Sequence, residues 1–369
     1  MPVFVDLHLF KEEKASSREE LFEQYASNIQ YAKHLHPDIQ CYFIQHASFS
    51  AQHRENNTTF LVKPAKAYNL FTLTFLFFEI RALKPKVVML HGFLQPLRIL
   101  LARLVFSSGT KLWIQNHADV PASGIRLLFQ KWAGKHIQRF LIVSNEQSLP
   151  WFQKGIFKHG TKVTEVMEGS TTFRYIDKRE AKSLLGAPPC PLFLWVGRLD
   201  ANKDPMTVVK AFADYSLHHR SAKLWMVYHG GPLEQEVREF IGTQGLTEHI
   251  LLKGYVPHHY LENLFCAADY FLAASHSEGS GYALCEAMCC GCVPVVSDIP
   301  SFRKMTKQGE CGVLFPVGKA EELYTKLMEL RDEELLEKSK KVREQFLHQL
   351  SFEAIAGRIS TALLTDSRE

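Results

Sequence analysis

Ser275-His276-Ser277-Glu278-Gly279-Ser280-Gly281-Tyr282-Ala283-Leu284-Cys285-Glu286-Ala287-Met288 is the stretch on which the reading of this chain turns. The apolar run before it, Asp269 to Ala274, reads as a buried strand, and the residues after Gly281 read as a helix. The glycines therefore fall where a strand turns into a helix, a place where bare backbone N–H groups and the positive helix end collect anions. Glu278 is expected to project beside that anion, and Glu286 to lie about two turns into the helix. One carboxylate for sugar hydroxyls, the amides of Gly279, Ser280, Gly281, Tyr282 and Ala283 for phosphate, and a second carboxylate for ribose would make a nucleotide-sugar cradle.

Working outward, Glu278 and Glu286 enclose seven residues, and Gly291, Pro294 and Asp298 follow. Upstream stand Val196-Gly197-Arg198-Leu199 and Lys203-Asp204-Pro205. Together these resemble the E-x7-E signature and the Arg–Lys pair of retaining glycosyltransferases of family 4. The resemblance is continuous from about residue 190 to residue 316 and patchy before residue 85. It implies a GT-B fold: two Rossmann-like α/β domains with parallel sheets facing a central cleft, and a C-terminal helix crossing back to the first domain. The expected boundaries are 1–172 for the acceptor-side domain, 173–350 for the nucleotide-sugar domain and 351–369 for the returning helix.

The residues assign roles consistent with that resemblance. Transfer from a nucleotide sugar leaves a diphosphate whose charge must be met. No D-x-D motif occurs in the chain to hold a metal, so the charge falls to Arg198, Lys203 and the glycine-loop amides, and no metal or cofactor is expected. Arg offers a planar fork and Lys a point charge, a combination suited to a diphosphate. Gly230 and Gly231, in His229-Gly230-Gly231-Pro232, form a turn that lets backbone approach a ligand. Tyr255 and Val256 correspond to the family's segment beside the base. His117, after the strand Leu112 to Gln115, looks like the family's histidine near the donor sugar; with Glu278 it makes the expected catalytic pair. His91 ends the preceding strand in the same manner. His218-His219 and His258-His259 read as surface positions. The family's glycine-rich turn after the first strand has no counterpart in Leu9 to Ser17, where Lys11, Lys14 or Ser16 would have to substitute on the acceptor side, together with His91.

Composition sets the remaining bounds. The 369 residues, 46% hydrophobic, suffice for two domains with separate cores. Eight cysteines include four between Cys285 and Cys292, without the paired spacing of a zinc site; they read as small packing residues in a reducing compartment. No leader segment is visible in Met1 to Lys14, and the longest apolar run, Leu70 to Phe78, is far below the ~20 residues of a span. A cytoplasmic protein, placed at the inner face of the membrane if it binds lipid, is the expectation. Between Arg81 and Arg139 ten Lys or Arg accompany one acid, Asp119. Gly124 to Phe140 then suits either an interfacial helix on anionic lipid or a helix packed on a sheet with a solvated face. No nucleic-acid motif is present, and no G-x-G-x-x-G follows the first strand as a dehydrogenase would require.

Further strands are expected at Pro2 to Leu9, Ile39 to Gln45, Lys86 to Leu90 and Arg139 to Val143, with helices at Arg18 to Leu35 and Tyr68 to Leu83. Past the proline-rich Leu185 to Pro191, strands are expected at Leu192 to Val196, Lys223 to Tyr228, Ile250 to Lys253, Tyr270 to Ala274, Val293 to Val296 and Gly312 to Phe315. The expected activity is retaining transfer of a sugar from a nucleotide diphosphate to a glycan or lipid-linked acceptor. A same-fold epimerase or phosphorylase, and a non-catalytic nucleotide-sugar-binding protein, stand as alternatives.

Overall fold

A computed structural model describes residues 1–11, 15–64, 69–117 and 119–368. The chain divides into two compact units, residues 1–170 with 351–369, and residues 171–350. Each is built on one sheet with helices on its faces.

The first unit has eight strands: β1 (Val3–Lys11), β2 (Gln40–Ala47), β3 (Ala51–Glu55), β4 (Thr58–Pro64), β5 (Val87–His91), β6 (Lys111–Gln115), β7 (Ile137–Ile142) and β8 (Lys162–Glu165). Their order is β3-β4-β2-β1-β5-β6-β7-β8. All neighbours are parallel except β3 and β4. The central strands are buried on both faces, as parallel strands between helical layers must be: Phe4, Val5, Leu7, Val88, Met89, Leu112, Trp113 and Ile114 are all inaccessible to solvent. Phe93, Trp151 and Phe157 stack beside them, with ring centroids 5.4–5.8 Å apart.

Three expectations for this unit need correction. Arg18 to Leu35 is not one helix. It breaks into Arg18–Gln24, Ala26–Ile29 and a 3-10 turn, Gln30–His34, because Tyr25 leaves helical geometry. The break turns Tyr31 inward, where its hydroxyl donates to Asp6. The antiparallel β3–β4 hairpin was not anticipated, although its turn, Asn56-Asn57, is of the residue type that tolerates a left-handed backbone; Asn56 has φ +52°. The stretch Gly124 to Phe140 is not one helix either. Helix Gly124–Gly134 ends before β7 begins at Ile137. Arg139 therefore lies on a strand, buried, and grips Asp366 with Nε and Nη2 at 3.1 and 2.8 Å. Lys162 Nζ adds a contact of 3.0 Å. These bonds hold the last helix, Phe352–Arg368, to the first unit. Burial opposes ionisation of Asp366, but the hydrogen bonds from Arg139 and Lys162 outweigh it and hold its carboxyl below the ordinary range.

The second unit has six parallel strands: β9 (Leu192–Gly197), β10 (Lys223–Tyr228), β11 (Ile250–Gly254), β12 (Tyr270–Ala273), β13 (Val293–Ser297) and β14 (Val313–Phe315). Their order is β11-β10-β9-β12-β13-β14. Each of the six strands expected here is found within a residue or two of its place. Cys285, Cys289, Cys290 and Cys292 are buried and in no disulfide, in and just after helix Tyr282–Cys289.

Candidate functional site

In an open parallel sheet, ligands bind outside the carboxyl ends of the strands where the order reverses. In the second unit that point lies between β9 and β12, since β10 and β11 run off to one side and β13 and β14 to the other. The loop after β9 carries Arg198 and Lys203, and the loop after β12 carries Ser275 to Gly281. They are tied together: His276 N–H donates to Asn202 O at 2.8 Å, and Asn202 Nδ2 to Ser277 O at 3.0 Å. Ser297 Oγ donates to Ser275 O at 2.6 Å, bracing the second loop from β13.

The helix begins at Tyr282 with Gly281 as its N-cap, at φ +61°, and no side chain caps that end. A Cβ at Gly281 would stand 2.7 Å from Phe302 Cε1, so glycine is required on both counts. Glu286 is the fifth helical residue, just over one turn in, rather than two. Lys203 Nζ donates to Glu278 Oε1, while the Arg198 guanidinium is largely exposed and 3.9 Å from Asp200. Gly231, after β10, has φ +147°, and a Cβ there would meet Leu199 O at 2.2 Å. The Gly230–Gly231 turn thus packs backbone to backbone on the Arg198 loop, with Leu199 N–H donating to Gly230 O at 3.1 Å. Tyr255, exposed after β11, meets the His229 ring edge-on at 5.3 Å, and Val256 follows half-buried.

His258 is at the surface, as expected, with its side chain 57% exposed, but it is not idle: its Nε2 stands 2.6 Å from Glu286 Oε1, and its ring packs on Phe173 at 4.8 Å. The Glu286 hydrogen bond, against partial burial, raises the imidazole above its ordinary value.

The first unit reverses strand order between β1 and β5, and a second polar cluster sits there. Asp6, fully buried in β1, lies 2.6 Å from His91 Nε2 at the end of β5. His91 Nδ1 lies 2.7 Å from His117 Nε2, just past β6. His117 Nδ1 lies 2.7 Å from Glu168 Oε2, in the loop after β8. His8 packs against His91, the rings tilted by 30° with centroids 3.7 Å apart. Its Nε2 is 3.2 Å from Asp6 Oδ1, close enough for ionic attraction but not aligned as a hydrogen bond. A cavity of about 260 Å³, lined by His91, Gly92, Arg98, His117 and Asp119 among others, opens beside the cluster.

The structure joins His117 to His91 but occupies both nitrogens of each, which the sequence reading did not foresee. Asp6 and Glu168 were missed. Asp6 had a signal, an acid in an apolar strand two residues from His8 and so on the same face; Glu168 had none beyond Gly169 beside it. Of the acceptor-side residues, Lys14 and the Lys11 side chain lie outside the described residues. Ser16 is engaged locally, its N–H and Oγ both bonding Glu20 Oε2 at 2.8 and 2.7 Å.

Among the described residues, Asp6, His8 and His91 are the one group with three potential metal-ligating atoms, all within 4.8 Å of one another. The 2.6 Å between Asp6 and His91 is hydrogen-bond spacing. Neighbouring ligands about 2.1 Å from a shared ion and at right angles would stand roughly 3 Å apart. The arrangement fits a hydrogen-bonded chain better than an ion cage.

Residues 177–346, nearly the whole second unit, match the family of glycosyl transferases group 1. The similarity to that family is carried by this segment. Over 156 residues the chain is 23% identical to the α-D-kanosaminyltransferase of Streptomyces kanamyceticus, covering 42% of this chain and 40% of that one. Over 145 residues it is 31% identical to the phosphatidyl-myo-inositol mannosyltransferase of Mycobacterium leprae, covering 39% and 38%. The match thus spans about two fifths of these relatives' length. The fold as a whole is similar to that of Anabaena HepE, solved in complex with UDP, with a TM-score of 0.70 at 14% identity over 99% of this chain and 100% of that one. The chain has the GT-B type of fold.

Proposed function

We propose that this protein transfers a sugar from a nucleotide diphosphate sugar to a glycan or lipid-linked acceptor, with retention of anomeric configuration and without a metal. The observation that carries the reading is the convergence of Arg198, Lys203, Glu278 and the start of the helix at Tyr282 on one strand-order reversal. Cations and amides there suit a diphosphate, and Glu278 lies within reach of the attached sugar. Glu286, on the next turn, suits ribose. Retention follows from the family resemblance; no nucleophile is evident, which favours front-face attack with the leaving phosphate assisting the acceptor hydroxyl.

The lipid-linked acceptor is supported by the first unit's surface. Helix Leu70–Ala82 buries Leu73, Leu76, Phe77 and Ile80, yet its opposite face shows Phe71, Phe75 and Phe78 to solvent. Helix Gly124–Gly134 exposes Ile125, Leu128 and Trp132 beside Arg126. These two helices and Pro96–Val105 border a cavity of about 660 Å³ lined by Leu70, Leu94, Leu97, Ile125, Arg98 and Arg126, among others. Apolar side chains interspersed with cations suit an anionic lipid surface. No helix among the described residues is long and apolar enough to cross a membrane, so contact would be peripheral. The test is incubation with UDP- and GDP-sugars, with and without lipid-linked acceptors, in EDTA. Transfer with retained configuration supports the reading. Conversion of the donor alone would point to an epimerase, binding without turnover to a non-catalytic protein, and rescue by manganese would remove the metal-free assignment.

A further inference from the structure

The chain Asp6–His91–His117–Glu168 contains three contacts in series of 2.6, 2.7 and 2.7 Å. Each contact needs one proton to be a hydrogen bond. Two neutral imidazoles bring two protons, and two ionised carboxylates bring none. With His91 donating from Nε2 to Asp6 and His117 from Nδ1 to Glu168, neutral rings would set lone pair against lone pair across the central 2.7 Å. A third proton removes that repulsion, and a fourth would set N–H against N–H. The cluster is complete with one proton more than two neutral imidazoles carry.

The surroundings say where it resides. His91 is buried among Asp6 and His8 from β1 and His117 from the β6 loop. Burial first, then repulsion from His8, drives it down to about 3 despite Asp6. Burial would also lower His117, but the hydrogen bond and charge of Glu168, with Asp119 and Asp6, outweigh it and raise His117 above its ordinary value. Tyr31 and Cys41 face Asp6 from the other side, both held neutral by burial beside its charge. Arg98 lines the adjoining cavity. A neutral His91 accepting from a protonated His117 satisfies every bond.

We propose that Asp6, His91 and Glu168 are positioning residues that hold His117 as a fixed imidazolium, so that it offers positive charge, not a free ring nitrogen, to the transferred group. This rests on the transferase reading, in which His117 serves the donor sugar. A base or a neutral hydroxyl-binding histidine needs an unoccupied nitrogen, and His117 has none in this arrangement. Its ring edge, about a quarter exposed, lines the cavity with charge alone.

The test is ¹⁵N NMR of the full chain labelled at histidine, followed over pH beside the pH profile of kcat. His117 should show two N–H groups at neutral pH and titrate above free imidazole, while His91 stays neutral with its proton on Nε2. Glu168→Gln keeps shape and removes charge, so His117 should titrate about 1–3 pH units lower. The alkaline limb of kcat should fall to lower pH by the same amount, with donor KM little changed. Glu168→Asp should restore part of the shift, which a merely structural role would not do. A wild-type His117 with one free nitrogen, or a profile that Glu168→Gln leaves in place, would overturn the proposal. Should Glu168→Gln not fold, the wild-type spectrum decides by itself. The NMR needs no turnover, so a shared proton found in a protein that transfers no sugar would refute the transferase reading and leave the proton count standing.

Discussion

The Lys203–Glu278 pair makes the sharpest test of the donor site, because its two ends should respond with opposite sign. The Lys203 side chain is 30% exposed and that of Glu278 13%, so the pair is held partly away from water but is open to an incoming ligand. On diphosphate binding, Lys203 should exchange a carboxylate for a phosphate. A charge-assisted hydrogen bond contributes about 1.5–3 kcal/mol, so Lys203→Met should weaken UDP or GDP binding about 10- to 150-fold, at about 1.4 kcal/mol per decade. The loss includes repulsion of the diphosphate by Glu278, whose charge Lys203 no longer offsets. Glu278→Gln removes the competitor for Lys203 and should tighten the free nucleoside diphosphate while lowering kcat with the full nucleotide sugar. The double variant should then lose less than Lys203→Met by itself, with a coupling of about 0.5–3 kcal/mol. Calorimetric titration at one ionic strength measures all four proteins. If Glu278→Gln weakens the diphosphate as much as Lys203→Met does, the pair is a structural clamp and the exchange argument fails.

Other residues give independent tests. Asp366→Asn leaves buried Arg139 without its charge partner, a loss of about 3–5 kcal/mol for such pairs, and should lower the first unit's melting transition by about 6–20 °C at 2–4 °C per kcal/mol. Because the folded-state pKa of Asp366 is depressed, the wild-type contribution is present above the unfolded carboxylate pKa and lost as pH falls through the folded one; stability that does not fall with acid more steeply in wild type than in Asp366→Asn would contradict the ion pair. His258→Ala should free Glu286 and tighten nucleotide binding below the raised pKa of His258, with the difference from wild type vanishing once pH exceeds it; an unchanged affinity at every pH would mean Glu286 does not meet the ribose. Arg126, Lys131 and Lys135 to Gln should cost about 1 kcal/mol each near an anionic surface, together about two decades of vesicle binding, while Arg139 is left alone because it is buried. Wild-type protein that ignores anionic vesicles at low salt would favour the solvated-face reading.

The second unit was legible strand by strand because its signals are local. Each strand is a short apolar run bounded by Gly, Pro or charged residues, and each donor-site candidate lies within eight residues of a strand end or on the helix after β12. Parallel pairing then puts all those ends on one edge of the sheet, so sequence order becomes site geometry without a long-range guess. The first unit yielded its central strands for the same reason, but not its edges or seams. The β3–β4 hairpin depended on an Asn-Asn turn, and the break at Tyr25 on a tertiary bond from Tyr31 to Asp6. The strand β7 was expected from Arg139 and begins two residues earlier, at Ile137, inside a stretch whose apolar spacing also fits a helix; as a strand residue Arg139 reaches Asp366.

The histidine cluster was illegible for a different reason. Its four members come from positions 6, 91, 117 and 168, on four separate segments of chain, and no spacing rule relates them. What the sequence could offer was an expectation for each histidine by itself, as a ring at a strand end, neutral or charged. The structure removes that freedom by seating each ring between two partners. Parity then does what motif reading could not: three contacts and two neutral rings leave a shortage of one proton. That proton changes the role open to His117. A histidine with a free nitrogen is a hydrogen-bonding or basic group, whereas one held between a carboxylate and a neutral imidazole is a fixed charge whose value depends on residues that touch no substrate. Asp6 is the far end of that dependence. Replaced by Asn, it still accepts from His91 but no longer favours a positive neighbour, so any fall in the titration of His117 must be transmitted through the His91 ring, and an Asp6→Asn protein that folds yet leaves His117 titrating as in wild type would break the chain at its first link.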